Sequence, residues 1–477
     1  MRRGLPLESC FNLLMQDSNT QSLSELKADF TRMSSRLDSD AKILFSMMFR
    51  LIEVLILSLP KKKATSRNSG LAPSQDPHRA KKSRKKGAKK PGGQPGHKGS
   101  SLVMSSNPDK IIQHPATQCD TCGSNLEDIP LAQTSRHQVI DIQFTKIIIE
   151  HQVEHKDCPC GHHQAHSSAG APVQYGPGLK ATAVELNQVQ CVPFKRCAEF
   201  LQQKFALSLS PATLMSFARQ ASQRLKDWEV AEKIELRAAH SLHADETGIN
   251  INGQNYWVHV LSSSTTTLMI PHQRRGSEAM LETEVLPYFH GILSHDFWSS
   301  YGNFDVIHAV CHSHLQRELT RVDEEYQQPW AGELAKLLIN AKDEREANDG
   351  LTLKRIEHYE REYSRLVGLG NKKNPTNRTR SHERGRIGQS YPRRLLNRLV
   401  NNRDWVLIFL YDPSIPFTNN QAERDIRMIK VQQKVSGYFK TEDGARDYCR
   451  IRSYILTMQK RGINKHQALT MLFEGPE

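Results

Sequence analysis

Apolar residues recur first at helical spacing, then thin out, and later alternate with polar residues at strand spacing. Leu23, Leu26, Phe30, Met33 and Leu37 repeat every three to four positions, which predicts an amphipathic helix. Ile43 to Leu59 is apolar almost throughout, yet it falls short of the roughly 20 residues a membrane span needs and carries Arg50 and Glu53. A buried or self-associating helix is expected instead, so residues 1–59 read as a helical, coiled-coil-like association segment with no membrane role. Residues 60–110 break the pattern with Pro, Gly, Ser and Lys. They hold too few apolar side chains to offset backbone ordering, which predicts a disordered linker.

In residues 111–175, HQVIDIQF and TKIIIEHQVEH read as two strands of a hairpin bracketed by CDTCG and CPCG. Beyond Gly176 the period becomes helical. Ala198 to Phe205 and SLSPATLMSFARQASQRL predict two helices joined by a tight turn, with Ser210 as cap and Pro211 at the first helical position. Residues 176–235 therefore read as a helix-turn-helix, whose second helix would enter a major groove, or as plain helix packing. From Ser241 the period is two: SLHADETGI, a turn at Asn252-Gly253, NYWVHVLS and TTTLMIPH predict three antiparallel strands. Gly291 to His295 and VIHAV predict two more. ELAKLLINAKDERE and LKRIEHYEREYSRL read as helices, and FTNNQAERDIRMIK as a helix capped by Asn419 or Asn420.

A length of 477 residues accommodates about three domains, so a single small binding module is excluded. The formal charge of +14 is concentrated in Lys61–Lys98, where thirteen Lys and Arg face the single acid Asp76. Lys81, Lys82, Arg84, Lys85, Lys86, Lys89 and Lys90 form its densest part. Such a run is a solvated spacer or, as favoured here, a contact that releases counterions from nucleic-acid phosphates. Nine cysteines, an odd number with no cleavable-looking leader, point to a reducing, cytoplasmic setting rather than a disulfide framework. Cys119, Cys122, Cys158 and Cys160 around a small hairpin suit tetrahedral Zn²⁺, because so little core needs a metal to fold. The one-residue gap between Cys158 and Cys160 departs from the usual knuckle and leaves His162 or His163 as a replacement or additional ligand.

Asp245 and Asp296 stand at or next to predicted strands, and Glu423 in the first turn of a predicted helix. Because strand side chains alternate, Asp245 and Glu246 face opposite sides, so only one of them joins a given site. Glu423 could form a surface pair with Arg427 four residues on. Two strand acids and one helix acid are also what holds two hard divalent cations about 3.5–4 Å apart for attack on phosphorus. Arg317, Arg424, Arg427 and Lys434 are candidate phosphate contacts, as is the basic stretch NKKNPTNRTRSHERGR. His312 and His314 read as packing or phosphate-positioning residues.

HADET, SHDFWSSYG, CHSHLQREL and NNQAERDIR, in this order, resemble the transposases of the insertion sequence 66 family. SGLAPSQD, GGQPGHKG, CDTCG and the closing YFKTEDGARDYCRIRSYILTMQKRGINKHQALTMLF extend the resemblance over most of the chain. It implies a multidomain α+β protein whose α/β catalytic domain is ribonuclease H-like. That domain would span residues 236–440 with a helical insertion at about 320–405, followed by a C-terminal helical segment, 441–477. The resemblance also implies a catalytic triad of Asp245, Asp296 and Glu423, Mg²⁺ or Mn²⁺ as cofactor, and cleavage of double-stranded DNA at terminal inverted repeats with strand transfer to target DNA. Two small accessory proteins of the same element are implied partners. Holding two element ends together calls for a homo-oligomer, and DNA as substrate for a nucleoid-associated protein. The chain departs from the family pattern at Cys158-Pro-Cys160, Phe417-Thr418 and His312-Ser313-His314. Two rival readings are a non-catalytic zinc and helix-turn-helix DNA-binding regulator, and a hydrolytic nuclease of the same fold.

Overall fold

The structure, a computed structural model, describes residues 47, 102–165, 172–376 and 388–475. The chain divides into two units, Met1–Arg79 and Ala80–Glu477. Of the first, only Met47 is described, an exposed helical residue. The N-terminal helices, the lysine-rich run and most of the second basic stretch thus lie outside the described residues. Among those described, no helix is long and apolar enough to cross a membrane.

Residues 102–165 carry little regular structure. Two three-residue strands, β1 (His155–Asp157) and β2 (His163–Ala165), pair antiparallel across a turn at Gly161. The longer strands expected over 137–155 do not form a ladder. Val139, Ile140, Ile142 and Ile147 to Ile149 are exposed, so neither a neighbouring strand nor a core face compensates for ordering them.

The next segment is helical: α1 (Pro177–Val184), α2 (Phe194–Phe205), α3 (Pro211–Arg224) and α4 (Lys226–Ala238). The expected helix pair forms. Helix α2 stops at Ala206, which adopts left-handed φ of 53°, and Ser210 Oγ accepts the Thr213 N–H at 3.1 Å to start α3. Leu201, Leu214, Phe217 and Ala221 bury one face. Ala212, Met215, Ser216, Arg219, Gln220 and Gln223 leave the other face of α3 exposed.

Five strands make one mixed sheet in the order β5-β4-β3-β6-β7. Strands β3 (Ser241–Ile251), β4 (Gln254–Ser262) and β5 (Thr267–His272) form an antiparallel meander. Its first turn is the predicted Asn252-Gly253, both at positive φ (47° and 84°), as a tight right-twisting hairpin requires. After the short helix α5 (Ser277–Glu282), β6 (Ile292–His295) and β7 (Ile307–Val310) continue the sheet in parallel. Among the described residues five helices then intervene: α6 (His312–Tyr326), α7 (Pro329–Ala347), α8 (Leu353–Lys373), α9 (Tyr391–Asn401) and α10 (Arg403–Leu407). They share a core of Leu315, Leu319, Leu334, Leu338, Leu395 and Leu396 that reaches the sheet at Ile292 and Val310.

The chain returns to the sheet in α11 (Asn420–Ser436). Helix α12 (Glu442–Lys460) then lies along β5 and α13 (Lys465–Glu474) packs on α1. The two sheet faces bury different sets. Ile249, Ile251, Val258 and Val260 pack against Ala422, Ile426 and Ile429 of α11, whereas Leu242, Ala244, Leu261 and Leu293 pack against Leu236, Met280 and Phe289.

Candidate active site

Strand parity decides which acids can meet. Asp245 shares odd parity with Ile249 and Ile251, so it points to the face covered by α11, while Glu246 points to the other. The parallel pairs Ser241↔Ile292, Leu242↔Leu293 and His243↔Ser294 keep a constant offset. Carried two residues further, that offset sets Asp245 level with Asp296. Both carboxylates are locally tied: Asp245 Oδ1 accepts the Glu246 N–H at 2.9 Å, and Asp296 Oδ1 the Trp298 N–H at 3.0 Å. Burial first, then the charges of Glu246 and Asp296, push the Asp245 carboxyl up to about 7, against the pull of the Glu246 amide and His314.

Glu423 comes from the first turn of α11, in a cleft lined by Asn420, Arg424 and Arg427. Its Oε1 is buried and accepts no hydrogen bond; the facing His314 Nδ1, also buried and unpartnered, is 3.8 Å away. The pair with Arg427 that the spacing allowed is not made. Among the described residues the tightest triad of ligand-type atoms is Cys311, His314 and Glu423, all within 4.8 Å of one another. The Cys311 sulfur beside His314, acting against burial and helped by Glu423, lifts the imidazole to about 9. Burial acts to raise the Cys311 thiol, but His314 and nearby backbone donors bring it below its ordinary value.

Asn419 joins these elements. Contrary to the cap expected of it or of Asn420, its side chain does not cap α11. It donates to Ala244 O at 2.6 Å and meets His243 Nδ1 at 2.9 Å, while its backbone N–H donates to Cys311 Sγ at 3.2 Å. One residue therefore ties the strand before Asp245, the helix before Glu423 and the start of α6. His312 reinforces the joint. Its ring stacks on Phe417 at 4.1 Å, and its backbone N–H donates to Phe417 O at 3.1 Å. The packing role read for His312 thus describes its surroundings, whereas His314 turns toward Glu423.

On the opposite face Glu246 is fully engaged. It accepts from Arg275 Nε and Nη2 at 3.0 and 2.7 Å and from Tyr301 Oη at 2.8 Å. The Arg275 guanidinium also lies 4.2 Å from the Trp298 ring and 4.8 Å from that of Trp257. Glu246 is therefore an internal ion-pair partner rather than an open ligand.

Asp245, Asp296 and Glu423 are all carboxylates, as a hard divalent cation prefers. Asp245 is held up by burial and then by like charges, and Glu423 has a buried oxygen without a partner, but among the described residues the three do not gather as closely as Cys311, His314 and Glu423 do. Arg317 is half-buried, and Arg424, Arg427 and Lys434 line the exposed side of α11. Among the described residues none of the four has an acidic partner, which leaves them open to phosphates.

The cysteines occupy two turns. Gly123 N–H donates to Cys119 O and Gly161 N–H to Cys158 O, both at 2.8 Å, with the glycines at φ of 75° and 88°. Hydrogen bonds, chiefly from Ser124, lower the Cys122 thiol to about 7, and contact with Cys158 lowers that of Cys160. The thiols are thus set as two pairs, and zinc suits each pair chemically. Of the candidate extra ligands, His163 is committed to Asp157 at 2.7 Å and to His155 at 3.2 Å.

Sequence reasoning offered Asn419 only as a candidate cap and missed its links to Ala244, His243 and Cys311, and it missed the approach of His314 to Glu423. The only local signal was CHSHLQREL, whose three-residue gap from Cys311 to His314 spans one turn at the start of α6. The sequence model of the transposase IS66 family matches residues 172–447. No curated protein matches the chain.

Proposed function

The chain belongs to the transposase IS66 family, and from that premise we propose a DNA transposase that works through a ribonuclease H-like domain. It binds the terminal inverted repeats of its element, cleaves a strand at each end and transfers the freed 3′-hydroxyl to target DNA. What supports this most is the constant offset of the β3–β6 pairs: continued two residues past the last of them, His243↔Ser294, it sets Asp245 opposite Asp296. The strand order, three antiparallel strands followed by two parallel ones, supports the ribonuclease H-like reading.

In this reading Asp245, Asp296 and Glu423 hold Mg²⁺ or Mn²⁺. When bound, a pair of such cations activates the attacking oxygen and stabilises the leaving one. The protein's own contribution is position: two carboxylates from adjacent strands, a third from a helix locked to them through Asn419, and Arg317, Arg424, Arg427 and Lys434 against backbone phosphates. Lys81, Lys82, Arg84, Lys85, Lys86, Lys89 and Lys90 add a sequence-independent grip. Helix α3 reads bases with its exposed polar face, Cys119, Cys122, Cys158 and Cys160 hold structural Zn²⁺, and residues 1–59 pair protomers in concert with two small accessory proteins.

The test is cleavage and joining of DNA flanking the protein's own gene, with Mg²⁺ or Mn²⁺, by the wild type and by Glu423→Gln, Asp245→Asn and Asp296→Asn. Accessory proteins are added in parallel. Joined products that fall to background in all three variants, with folding and DNA binding retained, are expected. Normal cleavage by any amide variant would remove that acid from the site, and cleavage without joining would mean a nuclease.

A further inference from the structure

We propose that His314 is a positioning residue for Glu423: its Nδ1–H engages Oε1 of that carboxylate and leaves the second oxygen directed at the cation. The proposal rests on the reading of Glu423 as a metal-binding residue. Two buried polar atoms face each other at 3.8 Å, neither within a formed hydrogen bond and with the Cys311 sulfur the other group beside the ring, and they call for an explanation. A shift of under about 1 Å closes the gap to hydrogen-bond length. Active-site bonds that are long in the unliganded protein often tighten when substrate binds.

The surroundings favour this outcome, because the backbones bearing the two side chains are fixed relative to each other. Cys311, three residues before His314, receives the Asn419 N–H on its sulfur at 3.2 Å, and Asn419 O accepts the Glu423 N–H at 3.3 Å. One residue after Cys311, the His312 N–H donates to Phe417 O at 3.1 Å, and its ring meets Val406 O at 3.0 Å. The first turns of α6 and α11 are thus laced together on either side of the His314–Glu423 pair. A carboxylate held through one oxygen has its other oxygen aimed, which is how outer partners orient metal-binding groups.

The experiment measures Mn²⁺ binding by full-length protein, from the electron paramagnetic resonance signal of free Mn²⁺, alongside strand cleavage. His314→Ala should weaken Mn²⁺ binding by about 10–100-fold with the thermal midpoint preserved. His314→Asn, whose amide nitrogen falls near the position of Nδ1, should restore most of the affinity, whereas His314→Gln should not. Unchanged Mn²⁺ affinity in His314→Ala, or rescue by Gln rather than Asn, or rescue by neither, would overturn the proposal. Co²⁺ producing a thiolate charge-transfer band that Cys311→Ser abolishes would also overturn it, since Cys311, His314 and Glu423 would then ligate a metal directly. Glu423→Gln separates the two levels: Mn²⁺ binding unchanged in that variant would refute Glu423 as a ligand, whereas binding lost there but kept in His314→Ala would refute the role of His314 alone.

Discussion

Two stretches of this chain are built from the same residue types and end in different states. In β6, Leu293 is fully buried, paired on one side with β3 and on the other with β7. In the cysteine-bearing segment, Ile148 is 83% exposed and belongs to no strand, although TKIIIEHQVEH is at least as rich in strand-forming residues as GILSH. Strand propensity therefore does not decide the outcome; a partner at fixed register and a face to bury do. Chemistry follows the same line. The carboxylates of the sheet are placed by register, whereas the thiols sit on short turns whose only order is local.

The largest stability effect is expected in the sheet. Leu293→Ala removes a fully buried side chain two strands deep and should cost about 2–5 kcal/mol in denaturant unfolding. A cost under about 1 kcal/mol would put β6 in the same class as the exposed segment and break the comparison. Next comes acid sensitivity. Burial against Phe409 and Phe417 lowers the imidazole of His312 to about 4 from an ordinary 6.5, outweighing the upward pull of the Val406, Phe417 and Val310 backbone. Between those values the unfolded chain binds a proton that the folded chain refuses, so the contribution is complete above pH 6.5 and lost as pH falls through 4. His312→Phe, which keeps a ring against Phe417, should remove on the order of 3 kcal/mol of pH-dependence from the wild-type profile between pH 7 and 4. Identical acid limbs in the two proteins would show that the ring is not held neutral by the fold.

What could be read in advance follows the range of the interaction. The Asn252-Gly253 turn, the Ser210 cap and the alternation separating Asp245 from Glu246 depend on neighbours a few residues away, and all appear as expected. The acids themselves were picked out as two acids at or next to strands and one in a helix's first turn, and as a triad through the family resemblance; Asp245 lies within β3, Asp296 just past β6 and Glu423 in the first turn of α11. Asn419 or Asn420 was read as a cap because capping is what an Asn before a helix does locally; the side chain of Asn419 instead finds Ala244, 175 residues away. The bond from Asn419 to Cys311 crosses 108 residues, and no spacing rule reaches that far. The error over residues 137–155 has the opposite origin. Local propensity was strong there, but no distant partner arrived.

The smallest expected effect falls in that segment and sharpens the comparison most. With metal removed by chelator, Ile148→Ala should change unfolding stability by no more than about 0.5 kcal/mol, the usual range for exposed positions. Cys119, Cys122, Cys158 and Cys160 lie on two turns at either end of the apolar run. If zinc draws the two pairs together, the intervening residues 123–157 become a closed loop whose apolar side chains face one another. Burial that is absent without metal then appears with it. The same substitution in zinc-loaded protein should therefore cost more, about 1 kcal/mol or above, and amide hydrogens over 137–149 should gain protection from exchange. Equal costs in the two forms would show that any metal bound there organises only its own turns. The apolar run would then remain outside every core this protein builds from its own sequence.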